Sequence, residues 1–217
     1  MIYNIIATGS GGNCTIVNGC IAIDMGVSWR AIEPYARDLA LVLLTHEHSD
    51  HFNTRTVKRL AKERPGLRWA CREWMIQKLL DAGVRMQNID AASIGEFFYP
   101  GLSLHVRAER VPHNVPNCCW HIASGSERLF YATDAGNLDG IEAKGYDVYL
   151  LEANHGEAEI QREIEAAKAS GSFTYRERAA ENHLSREQAE EWLKKNQGPD
   201  SVWIPMHEHK EDWHEHA

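Results

Sequence analysis

The chain of 217 residues is long enough to bury one sizeable core and short for two, and its 43% hydrophobic and 25% charged content is ordinary for a globular protein. A net charge of −8 argues against a surface that coats nucleic acid, no apolar run approaches a membrane span, and the Met1-Ile-Tyr-Asn start lacks the basic opening of a secretory signal. Five cysteines without a CxxC pair argue against a disulfide framework or a cysteine-rich zinc knuckle, so the reducing cytoplasm is the expected compartment and the twelve histidines become the informative residues.

Residues 2–24 read as short strands about a turn. Ile2–Ala7 is apolar, Thr8-Gly-Ser-Gly-Gly-Asn13 follows, and Cys14–Val17 and Cys20–Asp24 flank Asn18-Gly19, a strong hairpin dipeptide. The glycine-rich loop has no Gly-Lys-Ser/Thr and is not a nucleotide P-loop. It is either a tight turn needing positive φ or backbone brought close to a metal site or a substrate phosphate. Asp24 closes its strand, placed to support a ligand histidine. Trp29–Arg37 predicts a short helix. The apolar run Leu39–Leu44 then predicts a buried strand that delivers Thr45-His-Glu-His-Ser-Asp-His51. On extended backbone His46 and His48 project to one side, while the adjacent Asp50 and His51 diverge and can serve a second centre. Imidazole and carboxylate suit Zn²⁺, Mn²⁺ or Fe²⁺. The spacing is not the helical H-E-x-x-H. A polar loop capping the next helix through Asn53 and Thr54 is the plain alternative, and packing alone explains three clustered imidazoles poorly.

Residues 54–63 predict a helix with Val57, Leu60 and Ala61 inward, ending before Pro65; Leu67–Cys71 predicts a strand and Glu73–Ala82 a helix stopped by Gly83. This alternation argues for an α/β layered core. Residues 90–111 are strand material around Pro100-Gly101, with His105 as a structural or surface residue. His113 follows that strand. Cys118–Ala123 and Arg128–Ala132 are strands around Ser124-Gly125, the second leading to Asp134, and Asp147–Leu151 leads to Glu152. Four successive strands ending in ligand-type side chains point to function collected at one sheet edge. Residues 157–169 predict an amphipathic helix over Ile160 and Ile164. The polar segment 170–182 holds Arg176 and Arg178, which either grip an anion or stay solvated. A capping box of Ser185 and Gln188, with Leu184 and Ala189 as a staple, sets His183 two residues ahead of a helix. Ser201–Pro205 is the last strand and runs into Met206-His207-Glu208-His209. His207, on backbone fixed by that strand, is favoured over His209 as a ligand. Residues 210–217, with His214 and His216, form a solvated tail.

His46-x-His48-x-Asp50-His51, then His113, Asp134 and a late histidine, in this order over nearly the whole chain, resemble the metallo-β-lactamase superfamily. The resemblance implies a single α/β domain over residues 1–217, a four-layer αββα sandwich with metals at one edge of two facing sheets. It implies a first metal on His46, His48 and His113, a second on Asp50, His51 and His207, and Asp134 bridging them. Cysteine is common at the Asp134 position of true β-lactamases, so antibiotic hydrolysis is disfavoured. Glu152, His183-Leu-Ser185 and Ile204-Pro-Met-His207 resemble late motifs of ribonuclease J and the β-CASP nucleases. There the counterpart of His207 is a metal ligand, and the counterpart of His183 faces the scissile phosphate beside the acid that Glu152 resembles. The Gly-Ser-Gly-Gly-Asn and Glu-Ala-Asn-His stretches are similar to the small stand-alone YycJ-like members of bacteria and prophages. Only 30 residues separate Glu152 from His183, so the inserted β-CASP domain and its nucleic-acid clamp are missing.

The expectation is a binuclear metal-dependent hydrolase, of phosphodiesterase or nuclease type, with two divalent ions (Zn²⁺ first, Mn²⁺ or Fe²⁺ the alternatives). A hydroxide bridging two metals roughly 3.5–4 Å apart supplies the nucleophile at neutral pH. Asp50, His183 and Glu152 are the catalytic candidates. The partner expected is a phosphodiester, either a nucleic-acid end or a small nucleotide; no membrane is expected, and a homodimer is left open. A thioesterase or lactonase on the same fold, a cyclic-nucleotide phosphodiesterase, and a non-catalytic binding module are the competing readings. The intact ligand set argues against the last.

Overall fold

Two six-stranded sheets arise from the apolar alternation, and each is drawn from one continuous half of the chain. The computed structural model describes residues 1–92, 96–172 and 174–208; His209 and the tail 210–217, with His214 and His216, lie outside the described residues. The first sheet has the order β1 (Tyr3–Ala7), β2 (Cys14–Val17), β3 (Ile21–Ile23), β4 (Leu41–Leu43), β5 (Arg68–Cys71), β6 (Ile89–Ala91). The second runs β12 (Val202–Met206), β11 (Val148–Glu152), β10 (Glu127–Ala132), β9 (Asn117–Ser124), β8 (Leu104–Val111), β7 (Glu96–Tyr99). The predicted hairpin is present: β2 pairs antiparallel with β3, and Asn18 and Gly19 both take left-handed φ, 48° and 71°. Val17 pairs with Ile21, so Asn18 to Cys20 make the connection, and Cys20 N bonds Val17 O at 3.2 Å across the two left-handed residues.

Strands β3 to β6 are mutually parallel, as are β10 to β12, and β8 runs with β10 because both oppose β9. Successive side chains alternate between the two faces of each sheet. Leu41 and Leu43 of β4 face the seam between the sheets with Leu129, Tyr131 and Leu150, whereas Val42 and Leu44 face the other way onto helices. Burial on both faces is why residues 39–44 form a continuous apolar run instead of an alternating one. Helices α1 (Trp29–Ile32), α2 (Thr54–Glu63) and α3 (Ile76–Asp81) cover the first sheet through Ile32, Val57, Leu60 and Leu79. On the second sheet, Ala189 and Leu193 of α6 (Arg186–Asn196) pack with Phe130, Tyr149 and Leu151. The layers are therefore helix, sheet, sheet, helix, the expected αββα sandwich. No helix among the described residues is long and apolar enough to cross a membrane.

Some element boundaries differ from the sequence reading. The helix expected over Trp29–Arg37 stops at Ile32: Pro34 brings no N–H, and Tyr35 N bonds Ile32 O at 2.9 Å in a tighter turn. Glu73–Ala82 divides into a tight turn, Glu73–Met75, and α3. The polar segment 170–182 contains a helix, α5 (Arg176–Asn182), packed beside α4 (Glu157–Ser170). Arg176 pairs with Glu163 and does not stand free to grip an anion, while Arg178 is exposed. The capping box forms as expected, with Gln188 N on Ser185 Oγ at 3.0 Å and Ser185 N on Gln188 Oε1 at 2.9 Å. His105 is exposed and paired with Glu96 at 3.2 Å, and all five cysteines are free thiols.

His121 on β9 shows how burial couples the fold to acid. Its ring is 4% exposed, packs on Phe130, and has Nδ1 3.0 Å from the Tyr146 hydroxyl. Burial, then the Arg107 charge, pushes the imidazole down to about 3 from 6.5. The folded state keeps it neutral, while the unfolded chain binds a proton below pH 6.5. Its stabilising contribution is therefore complete above pH 6.5 and is lost as pH falls from there toward 3. In urea unfolding, wild type is expected to lose about 2 kcal/mol more than His121→Gln between pH 7 and pH 5. Equal losses would show that this ring is not held neutral.

Candidate metal centre

The site lies where strands of both sheets end. Buried β4 passes into Thr45–His51, which leads to Asn53, the N-cap of α2 through its side chain on Thr56 N at 3.2 Å. Asp24, just past β3, fixes that loop. Its carboxylate accepts from Thr45 N at 2.9 Å and Thr45 Oγ1 at 2.9 and 3.0 Å, and lies 2.7 Å from His51 Nδ1. The last contact puts the His51 proton on Nδ1 and leaves Nε2 facing the site. Gly26 lets the same loop close: a Cβ there would fall 1.6 Å from Asp50 O.

All seven metal-ligand candidates come together. Ligand atoms of His46, His48, His113 and Asp134 lie within 4.8 Å of one another, as do those of Asp50, His51, Asp134 and His207, so Asp134 belongs to both groups. His46 Nε2 is 3.1 Å from His48 Nδ1 and 3.1 Å from Asp134 Oδ2. His51 Nε2 is 2.8 Å from Asp134 Oδ2, and His207 Nε2 is 3.2 Å from Asp134 Oδ1 and 3.6 Å from Asp50 Oδ2. His113 donates through Nδ1 to Asn182 O at 3.0 Å, which turns Nε2 inward. Three of the residues that shape the site, Asp24, Asp134 and His207, hold left-handed φ of 59°, 55° and 55° just after strands. Side-chain-bearing residues rarely sit there, and such backbone concentrates at functional sites.

Glu152 and His183 adjoin the second group. His183 Nδ1 lies 2.7 Å from Glu152 Oε1 and 3.2 Å from Asp134 Oδ1, and its ring stacks on that of His207 at 5.3 Å. Glu152 is fully buried, and its Oε2 accepts from Ala135 N at 2.9 Å and Leu184 N at 3.2 Å. The capped start of α6 therefore sets the histidine from one side and β11 sets its carboxylate from the other.

Charge inside the cluster is divided. Burial pushes His46 down, reinforced by His51, and burial likewise takes His113 down to about 4 against the pull of Asp134. Neutral imidazoles are what ligation requires. Burial also opposes protonation of His51 and His207, yet Asp134 with Asp24 lifts the first, and Asp134 with Asp50 the second. Burial would raise Asp134, but His51, His183 and His207 hold its carboxyl well below the usual range. His183 is pulled down by burial and raised to about 10 by the neighbouring carboxylates of Asp134 and Glu152.

These side chains fit divalent cations. Asp134 Oδ1 and His207 Nε2 are buried and converge, yet neither has a hydrogen-bond partner of acceptable geometry among the described residues. Unpaired buried polar atoms are costly unless something else satisfies them, and the donors are the imidazoles and carboxylates that borderline cations take.

Several supporting residues carried little sequence signal. Asn13 was visible only as the end of a glycine-rich loop; its Nδ2 lies 2.8 Å from His51 Nε2 and 3.3 Å from Asp50 O, so the loop does approach the site. Thr45 Oγ1 is 3.0 Å from His46 Nδ1, and Asn154 Nδ2 donates to His207 O at 2.9 Å.

Solved structures share this architecture at low identity. The metallo-beta-lactamase fold protein YhfI from Bacillus subtilis matches with a TM-score of 0.70 and 13% identity, covering 95% of this chain and 85% of that one. The human short-form tRNase Z matches at 0.65 and 12%, covering 96% and 92%. A diphosphatase of the PhnP family matches at 0.62 and 12%, covering 95% and 85%. No curated protein matches the sequence. A family model described as a beta-lactamase superfamily domain matches residues 21–207, so the chain belongs to the beta-lactamase superfamily and has the metallo-β-lactamase fold of its metal-dependent hydrolases.

Proposed function

We propose that this protein is a binuclear metal-dependent phosphodiesterase of nuclease type, close to the small stand-alone YycJ-like branch. In this reading His46, His48 and His113 hold one ion, Asp50, His51 and His207 a second, and Asp134 bridges. Zn²⁺ is the first choice for five imidazoles and two carboxylates, with Mn²⁺ or Fe²⁺ next. Bound there, the ions would supply a hydroxide nucleophile at neutral pH and offset charge on the phosphoryl oxygens.

One observation carries the choice of a phosphodiester: the His183–Glu152 pair at 2.7 Å beside Asp134. A carbonyl ester needs no second cationic donor there, whereas a phosphodiester gathers charge on several oxygens. With Nδ1 committed to Glu152, His183 keeps Nε2–H for a phosphate oxygen or the leaving group. Glu152, anchored by two backbone amides, is a positioning residue for that ring. Asp50 is the more exposed carboxylate, 21% against 2% for Asp134, which supports assigning it the proton of the attacking water. Two fold relatives, a tRNase and a diphosphatase, are named for action on phosphorus esters or anhydrides, which supports the assignment by analogy.

The test is a substrate panel with Zn²⁺ or Mn²⁺ added: bis(p-nitrophenyl) phosphate, an end-labelled oligonucleotide and a cyclic nucleotide, against a thioester and a lactone. Turnover of the diesters well above the carbonyl esters is expected. A preference for thioester or lactone replaces the proposal with a carbonyl-ester hydrolase, and turnover of the cyclic nucleotide alone narrows it to that substrate.

A further inference from the structure

One stretch of this acidic chain is basic. Residues 54–72 carry seven Lys and Arg against a single acidic residue, Glu63, although the whole chain has a net charge of −8. Four of the seven are occupied within the fold. Arg59 stacks over Trp29 at 4.2 Å and pairs with Glu63 at 2.7 Å. Arg64 donates to the carbonyls of Ala36, Arg37 and Leu39, Arg68 pairs with Asp90, and Arg72 pairs with Glu73 at 3.1 Å.

Arg55, Lys58 and Lys62 are left without an ion pair among the described residues. Spaced i, i+3, i+7, they form a stripe along the exposed face of α2, whose other face buries Thr56, Val57, Leu60 and Ala61. Lys62 in the last turn complements the helix dipole, but Lys58 and Lys62 are like charges four apart, which repel, and Arg55 sits in the first turn, where the dipole disfavours a cation. The stripe begins just beyond the His46–His51 loop and ends at a cavity of about 350 Å³. Lys58 and Lys62 meet Arg85 at that cavity, over Pro65, Trp69 and Val84. Arg85, too, has no ion pair among the described residues.

We propose that the stripe and cavity bind phosphates of a nucleic-acid strand whose end lies at the metal centre, an inference that rests on the phosphodiesterase reading above. From Arg55 to Lys62 the helix rises about 10 Å, so the cations form a track leading away from the site. A track of this length touches few phosphates, consistent with a chain whose net charge of −8 argues against a surface that coats nucleic acid. An anionic membrane is a poorer match, because Met86 is the one strongly exposed large apolar side chain at this end of the first sheet among the described residues, and interfacial binding needs a broad apolar face.

The test compares wild type with Lys58→Gln/Lys62→Gln/Arg85→Gln. It measures kcat/KM on bis(p-nitrophenyl) phosphate and, by fluorescence anisotropy over a salt series, binding of a labelled single-stranded oligonucleotide. Turnover of the small diester is expected to be unchanged. The slope of log affinity against log salt is expected to become shallower by about 2, the value for three lost contacts on a single strand. Oligonucleotide bound equally by both proteins overturns the proposal. So does equal competition by inorganic phosphate, which marks a small-anion site, or retention on phosphatidylserine vesicles without oligonucleotide binding. A wild type that is inert on every diester but keeps the binding difference supports the track and removes the phosphodiesterase reading, so the two failures are distinct.

Discussion

Asp134→Ala is expected to remove bound metal and activity together while leaving the sandwich intact. Its carboxylate is shared by both ligand groups, and its two oxygens lie 2.8–3.2 Å from nitrogens of His46, His51, His183 and His207. Without it neither ligand group keeps its shared carboxylate, and the His51 ring keeps Asp24 at Nδ1 but loses the carboxylate 2.8 Å from Nε2. Metal analysis of reconstituted protein should fall from two equivalents to one or none, and phosphodiester turnover should fall on the order of 10³-fold or more, the loss of several kcal/mol of transition-state stabilisation. Far-ultraviolet circular dichroism should change little, because both inner faces of the sheets pack without this residue. His113→Ala should lose one ion, since its Nε2 serves only the first group. A folded wild type that takes up one equivalent or none would contradict the binuclear assignment.

His183→Ala is expected to give the second-largest loss and of a different kind. Metal content should stay at the wild-type value, and kcat on phosphodiesters should fall about 10²–10⁴-fold, as for a removed general acid. Glu152→Gln should fall less, because the amide still accepts from Ala135 N and Leu184 N while no longer charging the ring. The competing geometry is specific. Asp134, Glu152, His183 and His207 also bring ligand atoms within 4.8 Å of one another, so His183 could be a ligand instead. Loss of a metal equivalent in His183→Ala would establish that role and remove the acid. Full retained activity would remove both.

Legibility followed burial and regularity. β4 and β11 bury both faces and stand out as apolar runs, so the residues at their ends, His46 and Glu152, could be placed before any geometry was known. Helix α5 was missed because it buries no residue and so leaves no apolar period. Arg176 looked available for an anion because its partner, Glu163, lies on a neighbouring helix. Asn13 and Asp50 are 37 residues apart, and nothing local in either stretch specifies that they meet. The left-handed backbone of Asp134 and His207 was equally silent, since no glycine or asparagine marks those positions.

Each half of the chain builds its own sheet, and each ligand group draws on both halves: His46 and His48 with His113 and Asp134, then Asp50 and His51 with Asp134 and His207. An ion held there would be a clasp across the seam. Neither half could capture it alone, so occupancy would report that the two had docked in register. By mass action, an ion present at a thousand times its dissociation constant would add about 4 kcal/mol to the joined state and nothing to either half apart. Metal supply would then govern the lifetime of the protein as well as its chemistry, with chelation loosening the join between the sheets before it reached either sheet's interior.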